Sequence, residues 1–64
     1  MGANRELWND YRETWMTFSR RLDQLQELVE SGDRAAAASA FIEVEKSRLR
    51  HNSVRDRLAE YLGG

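Results

Sequence analysis

From Trp8 onward, large apolar residues recur at spacings of three and four: Trp8, Tyr11, Trp15, Phe18, Leu22, Leu25 and Val29. Both seam positions of a seven-residue repeat are filled through this stretch, the strongest periodic signal in the chain, and it specifies an amphipathic helix. Arg12, Glu13, Arg20, Arg21, Asp23, Gln24, Glu27 and Glu30 fall between the seam positions and belong on a solvated face. The pattern breaks once, at Ser31-Gly32-Asp33. Gly32 offers the left-handed residue that ends a helix, and Asp33 offers an N-cap for the next. Beyond the break, Ala35 to Ala38 and Ala40 carry high helix propensity and little bulk, so a neighbouring helix can approach closely. A second, more polar stripe follows through Ala37, Ala40, Phe41, Val44, Ser47, His51, Val54, Leu58, Tyr61 and Leu62.

Helices are therefore expected at about 4–31 and 34–62, with the turn at 31–33, in a single domain spanning 1–64. The fold class is all-α: an antiparallel hairpin of two long helices. Folding at Gly32 sets Leu25 near Ala40 and Phe41, Leu22 near Val44, Phe18 near Ser47, Trp15 near His51, Tyr11 near Val54 and Trp8 near Leu58. Large residues on the first helix then oppose small or polar ones on the second, which fills a core without strain.

Two helices share only one interface, so each seam aromatic keeps a flank in water, and a wet apolar stripe marks a contact surface. Leu7, Leu28, Ile42, Leu49, Ala35 and Ala38 lie outside the seams and are candidates for a second interface. The economical arrangement is a homodimer of hairpins forming an antiparallel four-helix bundle. The expected self-association seam is Trp8, Tyr11, Trp15, Phe18, Leu22, Leu25, Val29, Phe41, Val44, His51, Val54, Leu58 and Leu62.

Composition narrows the chemistry. With 64 residues and no cysteine, the chain has no disulfide framework, thiol nucleophile or thiolate metal site. Its longest apolar run, Ala35 to Ala38, is far below the roughly 20 residues that cross a bilayer. No basic-then-apolar leader is evident, and Glu6 stands where a myristoylation signal opening on Met1-Gly2 wants Ser or Thr. A cytoplasmic location without membrane contact is expected. The only histidine, His51, falls on the inward stripe with Ser47 and Arg55 one turn away, so it is expected to fix register and not to catalyse. Arg48 stands where a Glu-x-x-His metal pair would need glutamate, and no glycine-rich phosphate loop exists. No enzyme activity, cofactor or metal is expected.

Charge supplies one further lead. The net charge is −1, but Lys46 to Arg57 holds five basic residues against the single acid Asp56, a local charge of +4. Helical spacing splits them: Arg48 and Arg55 flank the inward stripe, where rings or the acids Asp10 and Glu13 can engage them, while Lys46, Arg50 and Arg57 share the outer face. A small non-catalytic interaction or regulatory module is the expected function, a groove for another protein's helix being a variant of it. The alternative is a dimeric nucleic-acid-binding regulator using Lys46, Arg50 and Arg57.

Overall fold

A computed structural model of the chain describes residues 2–63, and side-chain surroundings from Asn4 to Gly63. Met1 and Gly64, which the single-domain expectation includes, lie outside the described residues. Two helices make up the fold, α1 (Gly2–Ser31) and α2 (Arg34–Gly63). Thirty residues at 1.5 Å per residue give a rod of about 45 Å. The chain measures 46 × 15 × 13 Å, so the rods lie side by side along their whole length, and the short turn makes them antiparallel.

Local chemistry sets the turn. Gly32 has φ 81°, in the left-handed region, and is the only described residue other than a terminal one that is glycine. Its N–H donates to the Val29 carbonyl at 3.1 Å, and the Asp33 N–H donates to the Leu28 carbonyl at 3.2 Å. This pair of bonds is a Schellman motif, which satisfies carbonyls that the end of α1 would otherwise leave orphaned. Asp33 then caps α2: its Oδ1 accepts from the Ala36 N–H at 3.0 Å, and its carbonyl accepts from the Ala37 N–H at 2.9 Å.

The seam between the helices differs from the expected one. On α1 the half-buried positions at three-and-four spacing are Leu7, Tyr11, Thr14, Phe18, Arg21, Leu25 and Leu28. At about 100° per residue this row is rotated by roughly 60° from the row containing both tryptophans. Tyr11, Phe18 and Leu25 belong to both rows and face α2. Trp8, Trp15, Leu22 and Val29 do not: they stand to one side, with Trp8 51% and Trp15 52% exposed. Leu7 and Leu28, assigned by spacing to a second interface, lie in this inner seam instead. On α2, Val44, His51 and Val54 are buried and Ala37, Ala40, Ser47 and Leu58 half-buried, whereas Phe41 and Leu62 are exposed.

The rotation has a packing reason. At its centre the inner row of α2 is Ser47 and Val54 around His51, and α1 turns Thr14 inward there in place of the bulkier Trp15. Thr14 is hydrogen-bonded to His51, and the Trp15 ring packs beside the imidazole from the flank. The indoles lie alongside, each covering part of the seam from the flank.

Candidate interaction surface

At the middle of the hairpin, His51 is 8% exposed and enclosed by α1. Its ring centroid lies 4.8 Å from Tyr11 and 5.6 Å from Trp15. Nδ1 is 2.9 Å from Thr14 Oγ1, which is itself 2.8 Å from the Asp10 carbonyl and 3.2 Å from the Tyr11 carbonyl. A threonine hydroxyl has one hydrogen, and a carbonyl can only accept. With that hydrogen directed at the Asp10 carbonyl, the Thr14 oxygen is left free to accept from the His51 ring. No buried polar side-chain atom among the described residues lacks a partner, so the contact is a satisfied polar clasp across the seam. The polar side-chain partner of His51 among the described residues is the Thr14 hydroxyl, and no carboxylate is hydrogen-bonded to the ring. Among the described residues no group of three or more His, Cys, Asp or Glu could hold a metal ion.

Two long flanks run beside the seam, and they differ in character. One is aromatic. Trp8, Trp15, Leu22 and Val29 form a row at seven-residue intervals down α1, and helical geometry places the exposed Phe41 on the same side of α2. Trp8 stacks on Tyr11 at 5.7 Å between centroids and 20° between planes, and Trp15 lies 6.0 Å from Phe18 at 49°. These contacts hold the indoles upright against the inner seam, with the rest of each ring open. Exposed large apolar residues thus make up a continuous row on one face.

Arg48 and Arg55 border this face on α2. Neither stacks on a ring or meets Asp10 or Glu13, as spacing suggested. Arg48 donates from Nε and Nη2 to Glu45 Oε1 at 3.0 and 2.8 Å. Arg55 pairs with the adjacent Asp56 at 3.1 Å. The hydrogen bonds and then the charge of Glu45 push the Arg48 guanidinium up from its ordinary value, so it stays a cation throughout.

The other flank is polar: an open groove of about 610 Å³. Asp10, Glu13, Thr17 and Arg21 line it from α1, and Glu43, Lys46, Ser47, Arg50, Ser53 and Arg57 from α2. Lys46, Arg50 and Arg57 therefore share this groove with three acids and do not form a separate outer face. Lys46 is engaged by Glu43 at 3.5 Å, an exposed pair of little strength. Ile42 and Leu49 remain exposed on α2.

Of the expected seam residues, then, the hairpin itself uses Tyr11, Phe18, Leu25, Val44, His51, Val54 and Leu58, and leaves Trp8, Trp15, Leu22, Val29, Phe41 and Leu62 outside. Sequence reasoning missed Leu7, Thr14, Arg21 and Leu28. They alternate with Tyr11, Phe18 and Leu25 at three-and-four spacing, but threonine and arginine at two of the four positions hide the row beneath the more apolar one. Among the described residues no helix is long and apolar enough to cross a membrane. No family model, curated protein or solved structure matches the chain.

Proposed function

We propose that the chain is a non-catalytic interaction or regulatory module that self-associates through its aromatic flank, two hairpins forming a four-helix bundle. One observation carries this reading: the most regular apolar row of the sequence, Trp8, Trp15, Leu22 and Val29, is the row that the hairpin does not bury. A scattered exposed apolar residue is ordinary, but two half-open indoles in line with leucine, valine and phenylalanine form a patch of the kind that marks an interface. Tryptophan at the centre of such a patch is the residue type that anchors association.

Phosphate binding by Lys46, Arg50 and Arg57 has weaker support, because Asp10, Glu13 and Glu43 in the same groove repel a nucleic-acid backbone. Sedimentation equilibrium tests the main reading. Particles of twice the 7.5 kDa chain mass are expected for the native sequence, and folded monomers for Trp15→Glu. A native chain that remains a folded monomer at high concentration overturns it.

A further inference from the structure

We infer that the second copy packs with its α1 antiparallel to the first α1, about a two-fold axis that runs between the copies, level with the point between Phe18 and Ser19 on α1 and between Lys46 and Ser47 on α2. This rests on the self-association proposed above and specifies its geometry.

Three independent features meet at that axis. Trp8 and Val29, and likewise Trp15 and Leu22, are centred on the same point between Phe18 and Ser19. A two-fold there lays Trp8 over the partner's Val29 and Trp15 over the partner's Leu22. Each indole then meets a smaller aliphatic group, and no indole meets its own copy, which is how layers interdigitate without voids. Ser19, beside the axis, is small enough to let the two backbones approach.

The register of the hairpin supplies the second feature. Thr14 is level with His51, because the two side chains are hydrogen-bonded. Counting inward along both antiparallel helices, the point between Phe18 and Ser19 is level with the point between Lys46 and Ser47.

Charge supplies the third. Glu45 and Arg48 are placed symmetrically about that second point, and within one chain they already form the shortest ion pair of the described residues, at 2.8 Å. An isologous contact brings residue i to residue j and j to i. The axis thus sets Arg48 opposite the second copy's Glu45 and Glu45 opposite its Arg48, closing a ring of four alternating charges at the rim. The competing arrangement, with α1 over the second copy's α2, sets the indole row against Arg48, Asn52 and Arg55. That would cover guanidinium groups in place of apolar ones, a costly exchange.

Disulfide trapping tests the geometry, since the chain has no cysteine of its own. Under mild oxidation Ser19→Cys is expected to cross-link nearly completely between copies, and Ser53→Cys, on the groove side, to remain unlinked. A second measurement uses mixing. Arg48→Glu alone surrounds the axis with acids and Glu45→Arg alone with bases, so each is expected to associate less tightly than the native chain. Both have lost the pair within the chain, so tight heterodimers on mixing can come only from pairing between copies. A dimer in which Ser19→Cys does not cross-link, or in which mixing restores nothing, overturns the two-fold and leaves self-association standing. A native monomer overturns both.

Discussion

Gly32 and His51 are single residues on which much of the hairpin turns, for opposite reasons. At Gly32 there is room to spare: a Cβ would meet nothing within 4 Å, yet φ of 81° is a conformation that side chains pay to adopt. Gly32→Ala is expected to destabilise the chain by about 1 kcal/mol in chemical denaturation, purely from the backbone. At His51 the constraint is polar. Thr14→Val leaves the nearly buried Nδ1 of His51 without its hydrogen-bond partner and is expected to cost about 1–3 kcal/mol. Joined with His51→Leu, the loss should fall well short of the sum of the two single changes, because the double variant has no orphaned group. A double-mutant cycle on denaturation midpoints reads this coupling, and additive effects would mean that the clasp does not form.

Each helix has two kinds of apolar surface, and substitutions should separate them. Val44, 3% exposed, belongs to the contact between α1 and α2, and Val44→Asp places an unpaired charge there. Loss of the helical circular-dichroism signal is expected, since such a charge costs several kcal/mol. Trp15 belongs to the flank. Sequence periodicity alone assigns Trp15→Ala the cost of a fully buried aromatic, about 3–5 kcal/mol. With half the ring already in water, the hairpin should lose about half of that in dilute solution, and the remainder should emerge only at concentrations where copies associate. Denaturation of the same variant at low and high protein concentration makes the comparison. Helical content should be retained throughout, because Ala is a strong helix former.

For the whole molecule, a hairpin 46 Å long and 15 × 13 Å across has almost no interior: only Val44, Val54 and His51 are buried among the described residues. A core of three side chains is thin for a folded domain, and small domains without disulfides or metals commonly gain the missing burial by association. Stability tied to association depends on concentration. The thermal midpoint of the native chain is therefore expected to rise steadily with protein concentration, and that of Trp15→Glu to stay flat. Differential scanning calorimetry over a dilution series checks this, and a concentration-independent midpoint for the native chain would contradict it. Added salt should change the midpoint little, since the ion pairs are exposed and apolar contact dominates.

What the sequence determined alone is what short-range physics determines. An unbroken three-and-four periodicity makes helices, and one glycine followed by one aspartate at the break makes a turn whose hydrogen bonds all lie within a few residues of it. The spacing of Trp15 and His51 from Gly32 likewise places them together across the seam, because two rods hinged at a fixed point have little freedom to slide. Only the tertiary structure decided which edge of the α1 stripe turns inward. Two rows share Tyr11, Phe18 and Leu25, and by hydrophobicity the tryptophan row should win. It does not: the surface of α2 opposite is short and polar at its centre, Thr14 meets His51 there, and the two indoles stay about half in water on the flank. The rotation of one helix about its own axis depends on the shape of the other, and no periodicity within a single segment contains it. That rotation also places the basic residues of α2, sending Lys46, Arg50 and Arg57 into a groove with acids and leaving Arg48 and Arg55 beside the aromatic row.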